Sequence, residues 1–267
     1  MELTLSSIAA IALYLSAAAL QTQQILVAKS NFKTLIIIVG ILAVGFHSVS
    51  LQTTLFTNEG LNLGFYKISS PIFWVICVIT LIAMIRRPLI NILVILFPLT
   101  TVGIIVSTYA SGNASAFTQI DDGLLTHIII SISAYSLLTI AAIQAFLVAI
   151  QDLQLKHHHT RGIVRVLPPL QLMETMLFEI IWCGVLLLTA SILSGMIFLD
   201  DIFAQQLVHK TVLSIAAWTM FSILLWGHHQ LGWRSKTAVR LTLSGFFILM
   251  LGYFGSKMVL ELIVDKI

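Results

Sequence analysis

Long apolar segments follow one another along almost the whole chain, with only short polar interruptions between them. A helix needs about 20 mostly apolar residues to cross a bilayer, and 58% of these 267 residues are hydrophobic while 9% are charged. Lipid offers no hydrogen bonds to the backbone, so segments this long and this uniform favour helices over barrel strands. The sequence therefore predicts an all-α, polytopic membrane helix bundle.

About eight transmembrane helices are predicted, and together they form a single membrane domain over residues 1–267. The first segment lacks a basic leader and a clear cleavage site, so we expect a retained helix and a mature chain that starts near Met1. Pro88 fits the first turn of a helix, where its missing N–H costs nothing. The expected bounds are 5–27, 34–54, 68–85, 89–109, 124–151, 171–199, 208–228 and 237–262.

Basic residues are concentrated in every second loop, and the loops between them contain Glu59, Asp121, Asp122, Asp200 and Asp201. Basic loops stay on the cytoplasmic side of a membrane, so both termini are predicted to face the outer, periplasmic side of a bacterial inner membrane. The net charge of +3 is explained by this topology, and no nucleic-acid partner is expected. The basic set is Lys29, Lys33, Arg86, Arg87, Lys156, Arg161, Arg165, Arg234, Lys236 and Arg240.

Three histidines are predicted at one depth near the outer surface. His47 lies in the outer half of the second helix, and His127 and His209 open the fifth and seventh helices. Imidazole is a common axial ligand of haem iron, and two histidines on different helices can bind one iron from both faces. Each of them can instead be an interface histidine that is hydrogen-bonded to a neighbouring carbonyl.

A polar stripe runs down the fifth helix from the outer surface. His127, Ser131 and Tyr135 recur every four residues and therefore share one face, which is expected to point into the bundle. Lys67, Lys210 and Lys257 lie near the same outer boundary, where their ammonium groups can bind haem propionates. The alternative for these lysines is contact with lipid headgroups.

A second group of histidines lies on the predicted cytoplasmic side, in a run at 157–159 and at His228 and His229. Such a run can bind a transition metal, or it can be a solvated loop. Cys77 and Cys183 are both inside apolar segments and indicate core positions. The sequence contains no catalytic triad, paired carboxylates or nucleotide-binding loop, so enzymatic catalysis is not expected.

The second half of the chain, residues 120–263, resembles the cytochrome c assembly family of membrane proteins. The resemblance rests on THIIISISAYSLLTIAAIQAFLVAIQDLQLK at 126–156 and on HKTVLSIAAWTMFSILLWGHHQLGWRSKTAVRLTLSGFFILMLGYFGSKMVLELI at 209–263. This family includes the CcsA/ResC, CcmC and HemX proteins, and the sequence is most similar to its YpjD-like inner-membrane branch. The shared order is a histidine that opens a helix, a tryptophan in the next-to-last helix, Gly-Trp-Arg and a glycine-rich last helix.

The resemblance implies that His127 is an outer-face haem ligand. The segment ELIVDKI after the last helix lacks the second outer histidine of the assembly proteins, so His209 or His47 would have to take its place. It also implies an inner haem ligand at His228 or His229. The tryptophan-rich outer segment of the assembly proteins has no counterpart here, where the chain reads LDDIFAQQLVHK, so cytochrome c synthase activity is not expected.

The predicted function is binding or transport of haem, as haem b with bis-histidine coordination, in the inner membrane. One alternative is a cofactor-free scaffold or accessory subunit that binds another membrane protein. A second alternative is a transporter of a metal or a small solute that uses the cytoplasmic histidines.

Overall fold

The computed structural model describes residues 4–27, 32–57, 60–62, 64, 66–110, 121–157, 164, 166–198 and 208–255. Within these residues the predicted count of eight helices is confirmed. A 3-10 turn at Ile90–Ile92 leads into the fourth helix, and a π turn at Leu251–Gly255 continues the last one. The helices are α1 Leu5–Leu26, α2 Lys33–Leu55, α3 Ser69–Ala83, α4 Leu93–Tyr109, α5 Asp122–Lys156, α6 Leu170–Phe198, α7 Val208–Leu231 and α8 Ser235–Met250.

Between α2 and α3 the described chain contains two short strands, β1 Phe56–Thr57 and β2 Gly60–Leu61, which pair antiparallel.

The N-terminus of α1 is capped by Thr4, whose hydroxyl oxygen accepts a hydrogen bond from the backbone N–H of Ser7 at 3.2 Å. This bond satisfies one of the amides that a helix leaves unpaired at its start.

Six helical segments in the described part of the chain are long and apolar enough to cross a membrane. The helix α3 is also apolar, but its 15 residues give a length of roughly 22 Å, below the ~30 Å of a hydrocarbon core. The protein is therefore an all-helical, multi-pass membrane protein. The six segments are Leu5–Leu26, Lys33–Leu55, Ile90–Tyr109, Asp122–Lys156, Leu170–Phe198 and Val208–Leu231.

Most helix ends lie within four residues of the sequence prediction, and two differ by more. The helix α5 continues to Lys156 rather than ending at 151, because Leu153 and Leu155 extend the helical segment past the polar pair Gln151-Asp152. The regular part of α8 ends at Met250 and passes into the π turn. The rest of the helix predicted to 262, which includes Lys257, lies outside the described residues.

The chain divides into two compact units, of which the first contains residues 1–118 and 153–168. In this unit α1 packs against α2 and α4, and α3 packs against α2 and α4. A buried amide pair joins α1 to the start of α4, since the Gln21 side-chain nitrogen donates to the Asn91 oxygen at 3.1 Å. Such a pair satisfies two polar groups that the membrane interior would otherwise leave unpaired.

The second unit contains residues 119–152 and 169–267. Here α7 packs against both α6 and α8, and small residues allow close approach. A Cβ at Gly245 would lie 3.1 Å from the Phe221 ring, and one at Gly252 would lie 3.0 Å from Leu213, so these two glycines allow close helix contact. The sequence predicts a single membrane domain over residues 1–267, and this remains a prediction.

Candidate functional site

A cavity of about 180 Å³ lies among the helices of the second unit. The polar stripe of α5 forms one wall. His127, Ser131 and Tyr135 all line it, as their spacing of four residues predicts. The other walls come from α6, from the first two turns of α7 and from the end of α8. The lining is His127, Ser131, Tyr135, Leu188, Ser191, Ile192, Gly195, Met196, Lys210, Thr211, Ser214, Ile215, Leu249 and Tyr253.

The cavity combines an apolar surface with a polar edge. Its apolar side chains include Leu188, Ile192 and Met196 of α6, together with Ile215 and Leu249. The ammonium of Lys210 lies 5.1 Å from the centre of the Tyr253 ring, which is within cation–π range. Such a combination suits an amphipathic ligand that has both a broad apolar body and acidic groups.

The ring of His127 is held by serine hydroxyls on both of its edges. Its Nδ1 lies 3.0 Å from Ser194 Oγ, and its Nε2 lies 3.3 Å from Ser131 Oγ. A neutral imidazole donates from one nitrogen and accepts at the other, so the other partners of these two hydroxyls decide which nitrogen is protonated.

The hydrogen of Ser194 is already used, because Ser194 Oγ donates to the Ser191 carbonyl at 2.9 Å. Ser131 Oγ likewise donates to the His127 carbonyl at 2.7 Å, and it lies 2.7 Å from Ser191 Oγ. With the proton on Nδ1, all of these bonds form together, and none is longer than the 3.0 Å between Nδ1 and Ser194 Oγ. With the proton on Nε2, one bond would be 3.3 Å long, beyond the usual N–H···O range.

The arrangement therefore favours His127 protonated at Nδ1 with a lone pair at Nε2. A histidine that binds a metal through one nitrogen almost always donates the other N–H to an oxygen, and this second bond fixes the ring orientation. At His127 the hydroxyl oxygen of Ser194, which is 7% exposed, is the acceptor of this second bond.

The other predicted site residues of the second unit have different positions. Tyr135 is buried in the cavity wall, with its ring centre 5.5 Å from that of Tyr253. Lys210 lines the cavity, whereas His209, one residue earlier, is exposed in the first turn of α7. Among the described lining residues His127 is the single histidine.

His47 lies in the first unit and is fully buried. Its Nε2 lies 2.9 Å from Ser70 Oγ, and its Nδ1 lies 3.3 Å from the Tyr14 hydroxyl. Both ring nitrogens thus have hydrogen-bonding partners inside this unit, and iron binding would displace one of them. A role of His47 as an iron ligand stays a prediction.

Lys67 precedes α3 in the first unit, and its ammonium donates to the Ser107 carbonyl. Partial burial lowers the pKa of Lys67, because a low-dielectric environment disfavours the charged amine. This contact with the end of α4 gives Lys67 a local structural role. Binding of a haem propionate by Lys67 remains a prediction.

A second cavity of about 210 Å³ lies where α6 begins and α7 ends. His228 lines it, whereas His229 is exposed beside it. His157 follows α5 and is exposed, and His158 and His159 lie outside the described residues. Within the residues that the structure describes, no three His, Cys, Asp or Glu side chains are arranged to hold a metal ion.

The side chains around the first cavity are of the chemical types that can hold a haem. They offer an imidazole with an unprotonated nitrogen, apolar side chains for the porphyrin faces and a lysine for an acidic substituent. Sequence reasoning identified His127, Ser131, Tyr135 and Lys210 but missed Ser191, Ser194, Met196 and Tyr253. Ser191 and Ser194 could have been found from the sequence, because they are three residues apart in α6. This spacing places them on one helix face.

The apolar spans and the cavity between helices define a multi-pass helical membrane protein with an internal cavity. The family described as Cytochrome C assembly protein matches residues 35–264. The chain therefore belongs to the cytochrome c assembly family, as the sequence resemblance predicts.

Two relatives illustrate this membership. The inner membrane protein YpjD of Escherichia coli K12 is 30% identical over 237 residues, which cover 88% of this chain and 90% of the relative. An uncharacterized 28.8 kDa protein of Azospirillum brasilense is 31% identical over 140 residues, or 52% of each chain. No solved structure matches the chain. Together with the apolar helices, the similarity to YpjD identifies a multi-pass bacterial inner-membrane protein.

Proposed function

We propose that this protein binds haem b in the cavity of the second unit, with Nε2 of His127 as an axial ligand of the iron. The observation that carries the proposal is the hydrogen-bond arrangement around His127, which leaves a lone pair at Nε2. Membership of the cytochrome c assembly family supports a ligand of this class.

The remaining lining residues have separate tasks in this proposal. Leu188, Ile192 and Leu249 would contact the porphyrin and exclude water from it. The ammonium of Lys210 would bind a propionate by a charge-assisted hydrogen bond. The haem itself would supply an iron centre whose potential depends on its axial ligands.

Two side chains of the second unit are candidates for the second axial position, and His47 of the first unit stays the predicted alternative. The bis-histidine prediction names His209, which is exposed in the first turn of α7 next to Lys210. The structure adds Met196, whose thioether is at the cavity wall and belongs to a ligand type that raises the haem potential in cytochromes c. The absorption spectra and potentials of His209→Ala and Met196→Ala discriminate between them.

The test is a haem titration of detergent-purified protein, monitored by absorption in the oxidised and reduced states. We expect a low-spin spectrum in the wild type and its loss or conversion to high spin in His127→Ala. The matched control is His157→Ala, because His157 is exposed after α5 and outside the cavity lining. A folded wild type without a haem spectrum would refute the proposal and favour the cofactor-free scaffold.

We further propose that the haem is handled or transported rather than used for catalysis. All eight helices would cross the membrane with both termini outside, and the short α3 would cross where the bilayer is locally thinned. The basic residues after α7, Arg234 and Lys236, support this orientation. Thiol labelling of single cysteines introduced at Lys236 and Asp122 tests it, since opposite sides should be labelled. Labelling of both from the same side would refute this topology.

A further inference from the structure

The second cavity lies at one end of the second unit and has a mixed-charge lining. One face of the first turns of α6 provides Gln171, Glu174, Thr175, Phe178, Glu179 and Trp182, and His228 and Arg234 complete it. These residues contribute two carboxylates, an imidazole and a guanidinium. The haem proposal for the first cavity uses none of them.

The depth of this cavity in the membrane follows from the composition of α6. Residues 180–198 contain no charged side chain, and at 1.5 Å per residue they span roughly 28 Å, which matches a hydrocarbon core of ~30 Å. Glu179 and Glu174 therefore lie at headgroup level. Trp182 is 53% exposed at the boundary where indole rings concentrate.

The turn between α7 and α8 is held firmly in place. Trp233 fits against Gly227, where a Cβ would lie 2.3 Å from the indole ring. The backbone N–H of Ser235 donates to Glu174 Oε1 at 3.0 Å, which joins this turn to α6. Arg234 lies between these two anchored residues, and its exposed side chain lines the cavity.

His228 presents a defined tautomer to the cavity. Its Nδ1 lies 2.8 Å from the Trp233 carbonyl, and a carbonyl only accepts hydrogen bonds, so Nδ1 is the protonated nitrogen. The ring also stacks on Phe178, with centroids 3.5 Å apart and planes 14° from parallel. The neutral ring therefore has a lone pair at Nε2.

The cavity thus combines three acceptor groups with one strong donor group. The acceptors are Nε2 of His228 and the carboxylates of Glu174 and Glu179, and the bond to Ser235 uses only part of the acceptor capacity of Glu174. A primary ammonium has three N–H donors, and a guanidinium is suited to phosphate oxygens.

We propose that this cavity binds a zwitterion in which a phosphodiester is joined to a primary ammonium, and that its source is the headgroup of phosphatidylethanolamine. The ammonium would donate to the two carboxylates and to His228, and the phosphate would accept from Arg234. Because the cavity lies at headgroup level, the bilayer supplies this ligand at high local concentration. The inference does not depend on haem binding.

Native mass spectrometry of the full-length, delipidated protein tests the proposal, with phosphatidylethanolamine, phosphatidylcholine and phosphatidylglycerol added in turn. We expect phosphatidylethanolamine to bind about tenfold more tightly than the other two. Phosphatidylcholine has no ammonium N–H donors, and phosphatidylglycerol has no ammonium. Equal binding of phosphatidylethanolamine and phosphatidylcholine would overturn the proposal.

Glu179→Gln and Arg234→Gln should each weaken phosphatidylethanolamine binding about tenfold. Arg240→Gln is the matched control, because Arg240 is exposed on α8 and does not line the cavity. Wild-type lipid affinity in both cavity variants would overturn the assignment. The assignment would also be overturned if these variants lost a haem absorption band but bound the lipid as the wild type does. Soluble glycerophosphoethanolamine is the second arm, and an affinity equal to that of the lipid would support the same chemistry with a soluble source.

Discussion

Removal of the Ser194 hydroxyl is the most direct test of the hydrogen bonding that we infer for His127. Its oxygen lies 3.0 Å from Nδ1 of His127, where it can accept the hydrogen of the favoured tautomer, and it donates its own hydrogen to the Ser191 carbonyl at 2.9 Å. Ser194→Ala removes the acceptor and leaves the imidazole N–H without its partner. Alanine favours a helix more than serine does, so α6 itself should remain intact.

The size of the effect follows from the burial of this bond. A buried donor that loses its acceptor costs about 1–3 kcal/mol, and residues that support a metal-bound histidine typically contribute 10- to 100-fold in affinity. That range corresponds to about 1.4–2.8 kcal/mol. We therefore expect the Kd for haem to rise 10- to 100-fold in Ser194→Ala, with His127 unchanged.

The assay is a haem titration in lipid nanodiscs, together with thermal unfolding of the haem-free protein. Ser194→Thr retains the hydroxyl and should restore most of the affinity. Ser133→Ala makes the same chemical change at a partly exposed serine of α5, whose hydroxyl donates to the Ile129 carbonyl of its own helix. This variant should bind haem as the wild type does. Wild-type affinity in Ser194→Ala would refute the tautomer argument.

Two further predictions concern the packing of each unit. Gly227→Ala places a Cβ 2.3 Å from the Trp233 ring and should lower the free energy of unfolding by about 1–3 kcal/mol. The control is Gly45→Ala, because a Cβ at Gly45 meets nothing within 4 Å. This variant should be neutral or stabilising in thermal unfolding. Tyr14→Phe leaves Nδ1 of buried His47 without its hydroxyl partner and should cost about 1 kcal/mol in the same assay; an unchanged unfolding temperature would show that this bond contributes nothing.

The sequence predicts the helices well because each is marked by its own composition. Apolar length and helical periodicity are properties of one segment, so the count of eight and the shared face of His127, Ser131 and Tyr135 follow without knowledge of any neighbour. The ends are less well predicted, since α5 continues through Gln151 and Asp152 to Lys156. A polar pair that ends a hydrocarbon span does not end the helix.

Features that depend on two helices could not be read from the sequence. The pairing of Ser194 with His127 requires the rotation of α6 against α5, and the lining by Met196 and Tyr253 requires the packing of α6 and α8 around one cavity. Helices in membranes associate through small residues and local packing. The sequence contains the small residues of α6, but it does not show which face of α5 they contact.

Two histidines that the sequence treats as equivalent differ in their chemistry for this reason. At His47 the hydroxyls come from two other helices, Tyr14 on α1 and Ser70 on α3, and one faces each ring nitrogen. At His127 the hydroxyls of Ser131 and Ser194 also bind backbone carbonyls, so their hydrogens are used elsewhere and Nε2 keeps its lone pair. A hydroxyl has a single hydrogen. The availability of a buried imidazole is therefore decided by what else its neighbours bind, and this criterion selects His127 over His47 as the iron ligand in our proposal.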